Sequence, residues 1–285
     1  MKIGMVLEGG GMRGMYTAGV LDVMLENEIQ IDGIVGVSAG TVFGCNYKSK
    51  QIGRAIRYNK KYCRDSRYGS FKSLLKTGDI FDKEFCYSQL PKELDPFDYK
   101  TFQENPMEFY ATCTDVNTGK AVYKRCYTSD DKELEWFRAS ASMPLVSKVV
   151  EIDGGAYLDG GIADSIPIRW MREKGFEKNI VILTRPEGYR KSKNKLIWLM
   201  RIVLHKYPNF IKAMKLRHIN YNESLDELYR LRKEGSVFIF APDAGFDTGR
   251  TESNPDKLEA AYRMGKKHAF DRLAELRTFM KENDE

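Results

Sequence analysis

Apolar positions in the first fifty residues fall into two kinds of run. KIGMVL (Lys2–Leu7) and DGIVGVS (Asp32–Ser38) are short, continuous apolar stretches, the pattern of buried strands. Between them, Tyr16, Gly19, Val20, Val23 and Met24 recur at helical spacing, and a second helix is expected to open at Ala39 and Gly40. Strand, glycine turn, helix, strand is the opening of a parallel α/β sheet. Further along, MEFYATCTDV and AVYKRCY join through Asn117, Thr118 and Gly119 as a hairpin, and KVVEIDGGAYLDGG reads as a second one. NIVILTR and SVFIFAP read as core strands, and Pro255–Met280 as one long amphipathic helix. No internal repeat, low-complexity tract or Pro/Ser linker interrupts the chain, and a boundary is placed near residue 190.

The glycines after the first strand carry the first chemistry. Gly9, Gly11 and Gly14 satisfy GxGxxG, which would suit a dinucleotide, but the second strand ends in GVSAG rather than in a ribose-binding acid. Asp32 precedes that strand, and no GK[ST] follows the glycines. Gly36-Val37-Ser38-Ala39-Gly40 is instead GxSxG between a strand and a helix, the context of a nucleophile elbow. A serine lifted out of the sheet on such a turn meets the positive end of its own helix. The neighbouring loop, with Gly10 and Gly11 as donors, would complete an oxyanion hole.

A serine nucleophile needs a base. Ser, Asp or Glu, then His is a known chain order, and the histidines are His205, His218 and His268. All three lie in basic, amphipathic, helical stretches and read as solvated. A carboxylate with a pKa raised by burial is the other way to take the proton.

Charge adds a surface. The formal net charge is +6, yet Lys48–Lys76 holds ten basic residues against Asp65 alone, and Arg190–Arg217 holds nine and no acid. In the second stretch Ile197, Trp198, Leu199, Phe210 and Ile211 are interleaved, which suits an anionic membrane interface better than nucleic acid. With no apolar stretch near ~20 residues and no leader-like start, the reading is a cytoplasmic protein, peripheral at most at the inner membrane surface. Five cysteines without CxxC spacing indicate neither a disulfide framework nor a metal site, and no EF-hand spacing is visible.

Taken together, EGGGMRG, GVSAG, ASASMP (Ala139–Pro144) and DGGIADSIP (Asp159–Pro167) resemble the motifs of patatin-like phospholipases of the bacterial type. The resemblance runs from about Lys2 to Arg185, with Glu8 where the family more often has Asp, and only loosely beyond. It implies a three-layer α/β/α fold with a mainly parallel central sheet, in an acyl hydrolase domain over 2–185. A mainly helical C-terminal extension over 190–285 would pack on that domain. It also implies a Ser-Asp dyad, without histidine or cofactor, that hydrolyses acyl esters of phospholipids or lysophospholipids. By position Ser38 is then the nucleophile and Asp159 the base. Gly9, Gly10, Gly11 and Gly14 form the oxyanion loop, which Arg13 steadies or whose surrounding charge it neutralises; Gly36, Gly40, Gly160 and Gly161 shape the two turns. Asp153 also precedes two glycines, but it falls at a hairpin turn, where a solvated carboxylate of ordinary pKa is expected. The rival reading is a catalytically silent lipid- or acyl-binding protein on the same fold.

Overall fold

In β1 (Ile3–Leu7) the four residues Gly4 to Leu7 are all buried, so the strand must be covered on both faces. A computed structural model describes residues 1–128 and 130–281; the last four residues of the expected extension lie outside the described residues. The other strands are β2 (Gly33–Val37), β3 (Glu108–Asp115), β4 (Ala121–Arg125), β5 (Val150–Ile152), β6 (Gly155–Asp159), β7 (Lys178–Ile182) and β8 (Val237–Phe240). They form one sheet linked through the pairings β5-β6-β3-β2-β1-β7-β8, with β4 on the other edge of β3. The run from β3 to β8 is parallel, while β4, β5 and β6 are antiparallel.

Helices α1 (Met15–Glu26), α2 (Ala39–Lys48), α3 (Arg54–Tyr62), α4 (Phe71–Thr77), α5 (Tyr99–Glu104) and α6 (Asp131–Ala141) belong to the first half. Helices α7 (Ile168–Glu173), α8 (Ile197–Val203), α9 (Pro208–Lys233), α10 (Pro255–Asp271) and α11 (Leu273–Lys281) follow. Alternation along β1 sorts them into layers. Met5 and Leu7 face a core built with Tyr16 and Val20 of α1, Phe109, Phe240 and Phe279, whereas Val6 faces Met171 of α7 and Leu225, Leu228 and Leu231 of α9. The molecule is a three-layer α/β/α fold with a mainly parallel sheet and a helical C-terminal region.

The C-terminal region is built into this body. Its strand β8 extends the parallel sheet beside β7, and α10 lies against α1 where Gly19 and Gly265 face each other's helix backbone. A Cβ at either glycine would collide with the opposing carbonyl oxygen, of Tyr262 or of Tyr16, so this crossing admits no larger side chain. The long helix expected over 255–280 is two, because Arg272 leaves the helical path. Its Nη1 donates to the Ile239 carbonyl at 2.6 Å and its guanidinium lies 4.2 Å from the centre of the Phe238 ring, which pins the break to the outer strand.

One register detail positions the site. Thr112 of β3 pairs with Val37 on one edge and with Tyr123 on the other; Cys113 pairs with Val122 on that second edge and with Asp159 on the first. Strands β2 and β6 therefore lie end to end along one edge of β3. One runs up to Val37 and the other runs down to Asp159, so the residues that follow Val37 meet the end of β6.

Candidate active site

Ser38 is the residue that follows Val37. Its backbone sits at φ 55°, ψ −121°, a conformation that costs a non-glycine residue energy and marks a sharp strand-to-helix turn. The side chain does not cap α2, although the Ser38 carbonyl accepts from the amides of Thr41 (2.9 Å) and Val42 (3.2 Å). What holds the strained turn is Ser140: its Oγ accepts the Ser38 amide at 3.0 Å and shares a hydrogen bond with Thr41 Oγ1 at 2.9 Å. Ser140 belongs to the ASASMP block, so its place beside the elbow accounts for that motif physically.

Asp159 ends β6 directly across from this turn and is only 7% exposed. Its amide donates to the Ser142 carbonyl at 2.8 Å, its carbonyl accepts from Thr114 Oγ1 at 2.9 Å, and its Oδ1 accepts from the Gly161 amide at 2.8 Å. Burial raises the carboxyl above its ordinary pKa; hydrogen bonding from the Ser38 hydroxyl, the Arg217 charge and the Gly161 amide pull it back only in part. Gly160 and Gly161 make the short turn that follows. A hydroxyl against a basic, buried carboxyl can pass its proton as oxygen attacks a carbonyl carbon.

The glycine loop closes over the same spot from the neighbouring strand. A Cβ on Gly9 would stand 2.8 Å from the Val37 carbonyl oxygen and 2.9 Å from Ser38 Cβ, so the loop passes the elbow at a distance only glycine allows. The amides of Gly10 and Gly11 donate to no group among the described residues and remain available to an oxyanion. Gly14 leads into α1 against Phe43 of α2, Gly36 pairs with Leu7, and Gly40 sits in the first turn of α2. Glu8, 2% exposed, anchors the loop: its Oε2 accepts the Thr184 amide at 2.7 Å and its Oε1 accepts the Tyr221 hydroxyl at 2.8 Å. The longer glutamate thus ties β1 to the end of β7 and to α9.

Residues 5–170, which carry all of these motifs, match the family model for patatin-like phospholipases. The chain belongs to the patatin-like phospholipase family. Residues 207–281 match a separate model, described as a domain of unknown function, DUF6363. The Escherichia coli K12 protein named uncharacterized protein YjjU is 29% identical over 65% of this chain and 52% of its own length. A Cryptococcus neoformans protein named lysophospholipase NTE1 is 29% identical over 64% of this chain and 11% of its own length. The chain thus spans about half or less of these relatives. The crystal structure of VipD from Legionella pneumophila aligns with 96% of this chain and 67% of its own at 12% identity and a TM-score of 0.49.

Beyond residue 170 the chain still reaches the site. Arg217 of α9 donates through Nε to the Gly161 carbonyl, next to Asp159. The Arg250 carbonyl accepts the Met12 amide at 3.0 Å and so fixes the far side of the glycine loop. Both residues escaped the sequence reading, which gave Arg217 to a membrane face. The histidines stand apart: His205 and His218 each bond the backbone carbonyl three residues earlier, of Ile202 and Lys215. His268, expected in solvent, is largely covered instead; its Nδ1 meets the Tyr16 hydroxyl at 3.0 Å and its Nε2 lies 3.4 Å from Asp243. Asp153 sits in the β5–β6 turn with φ 50°, as expected, but its carboxyl falls below the ordinary range because Lys132 pairs with it at 2.6 Å. No helix among the described residues is long and apolar enough to cross a membrane.

Proposed function

We propose that the chain is a serine acyl-ester hydrolase of the phospholipase A or lysophospholipase type, working through a Ser38–Asp159 dyad. The observation that carries this reading is the strained Ser38 turn held against a buried carboxyl whose pKa is raised. Asp159 accepts the Ser38 proton as Oγ attacks the ester carbonyl carbon, the Gly10 and Gly11 amides hold the oxyanion, and the protonated carboxyl then gives its proton to the departing alcohol. Water attacks the acyl-enzyme by the same route and releases the fatty acid. Family membership and the relative named as a lysophospholipase support a lipid ester as substrate. Labelling of Ser38 by a fluorophosphonate, with loss of both labelling and ester hydrolysis in a folded Ser38→Ala protein, is the expected result. A wild-type rate in Ser38→Ala would return the chain to the lipid-binding alternative.

The reading includes contact with an anionic membrane. Trp198, Ile202 and Val203 of α8 are 61%, 64% and 54% exposed, and around them Lys193, Lys195, Arg201 and Lys206 make no ion pair among the described residues. On α4, Phe71 and Leu75 are 76% and 88% exposed, each next in sequence to a lysine, Lys72 and Lys76. The two patches flank one loop: Leu145 and Val149 pack against the apolar cluster that Met200 of α8 joins, while Ile80, just past α4, donates to the Val146 carbonyl at 2.8 Å. That loop also carries Ser142, which is bonded to Asp159, so a membrane met by both patches would lie at the mouth of the site. Part of the first basic stretch is taken up in ion pairs. Arg54 is buried against Asp95, Arg57 pairs with Asp95 at 2.7 Å, and Lys60 pairs with Glu259 at 2.8 Å.

A further inference from the structure

Around Ser38 a group of basic side chains has no acid within ion-pair distance among the described residues. Arg13 is only 5% exposed, yet its side chain makes no hydrogen bond or ion pair among the described residues, and its Nε is a buried donor with no acceptor. A guanidinium left this way in a protein interior is destabilising unless a ligand completes it. Lys191 has its Nζ 4.0 Å from the centre of the Tyr221 ring and makes no ion pair among the described residues. Arg217 spends its Nε on a carbonyl, and the Arg250 side chain makes no hydrogen bond or ion pair among the described residues. The acids that face the group are Glu8, already holding the Thr184 amide and the Tyr221 hydroxyl, and Asp159, engaged with Ser38. The mutual field is strong: burial and Arg217 bring Lys191 down to about 7, and burial with Arg185 and Arg250 brings Arg13 down to about 10. Several cations with no counter-charge describe a site for an anion.

We propose that Arg13, Lys191, Arg217 and Arg250 form a subsite for the phosphate of an anionic acyl ester, placed so that the ester carbonyl reaches Ser38. The proposal rests on the hydrolase reading and deepens it. Guanidinium forks and an ammonium converging from separate elements match a tetrahedral oxyanion with several acceptor oxygens better than a single carboxylate. Three of the four cations lie beyond residue 170, and two of them in the region that matches a domain of unknown function, so that region gains a role: it supplies the headgroup charge reader to a hydrolase whose nucleophile lies in the N-terminal half.

The test compares a monoacylglycerol with the corresponding monoacylglycerol phosphate, both in neutral detergent micelles so that membrane charge plays no part. Lys191→Met and Arg250→Gln are the variants, since both side chains are partly or largely exposed and the Arg250 carbonyl that holds the glycine loop is untouched. Wild-type kcat/KM is expected to favour the phosphate ester by about tenfold or more, and each variant to lower that ratio by about tenfold. Lys233→Gln, at the exposed end of α9, serves as the control that leaves the ratio alone. A second arm needs no turnover: inorganic phosphate is titrated into Ser38→Ala protein, where a rise in Tm that Lys191→Met and Arg250→Gln abolish supports the subsite even if Ser38 proves unreactive. Phosphate-dependent Tm without a preference among esters identifies free phosphate as the ligand source. An ester ratio near one together with no phosphate effect on Tm overturns the proposal.

Discussion

The two ends of the β5–β6 hairpin carry the same tripeptide in opposite surroundings. Asp153-Gly154-Gly155 makes the turn, and Asp159-Gly160-Gly161 ends the second strand. At the turn the carboxyl meets Lys132, Lys124 and the Trp136 indole in solvent and is pulled below the ordinary aspartate range. At the strand end burial pushes it above. Equal sequence thus produces a carboxyl held in its charged form in one place and one pushed toward its neutral form in the other. The cause is tertiary: only the second Asp stops where β2 and β6 meet end to end on β3.

The largest expected effect comes from breaking the buried member. Asp159→Asn removes the acceptor without changing shape, and turnover of a soluble ester should fall by roughly 10² to 10⁴, the usual worth of a positioned base. Stability should move the other way. With the folded pKa raised, the charged form is disfavoured in the fold; that penalty is absent below the unfolded value and complete above the folded one. Asp159→Asn should therefore melt higher than wild type at neutral pH, with the difference fading as pH falls through the carboxylate range. A variant that loses activity and also melts lower at neutral pH would contradict the buried-base account. In the wild type the acid limb of kcat/KM should lie above the range of an exposed aspartate.

A smaller loss should follow removal of the support beneath the nucleophile. Ser140→Ala deletes the acceptor of the Ser38 amide and leaves that buried donor unmet, so the turn relaxes from its positive φ. The expectation is a fall in kcat of about tenfold to a hundredfold, with fluorophosphonate labelling slowed in proportion. Labelling at the wild-type rate would mean that the elbow holds its shape without Ser140.

How much of this was readable along the chain depends on how local each cause is. The elbow and the glycine loop are legible because the residues that make them are consecutive, and their glycines are required by close approach of one short turn to another. The strands and the two hairpins were legible for the same reason. The cation group was not, since Arg13, Lys191, Arg217 and Arg250 come from four separate segments and share no pattern. Charge counting at Lys48–Lys76 misses the long-range pairs, since the partners of Arg57 and Lys60 are Asp95 and Glu259, far off in sequence. His268 was misjudged through the same blindness: a lysine-rich helix reads as solvated, but Tyr16 of α1 lies against it. His268→Gln should leave turnover within a few-fold of wild type, because the ring's contacts lie with Tyr16 and Asp243 and none reaches Ser38. A loss comparable to that of Asp159→Asn would reopen the histidine base.

The smallest effect should come from the other DGG. Asp153 is solvated and held by Lys132 at 2.6 Å and Lys124 at 3.7 Å, so its charge helps the fold rather than burdening it. The sign of the linkage is the reverse of that at Asp159. A depressed folded pKa contributes stability that is present above the unfolded value and lost as pH falls through the folded one. Asp153→Asn should therefore melt slightly lower than wild type at neutral pH, the two curves converging in acid, and the difference should shrink in high salt, which screens an exposed pair. Turnover should stay within about tenfold of wild type, well short of what a positioned base supplies. Measured side by side, the two Asn variants should differ in activity by orders of magnitude and shift Tm in opposite directions. If both melted lower at pH 7, or if Asp153→Asn proved as inactive as Asp159→Asn while folded, the division of labour along the hairpin would be lost, and the base would have to be sought at the turn.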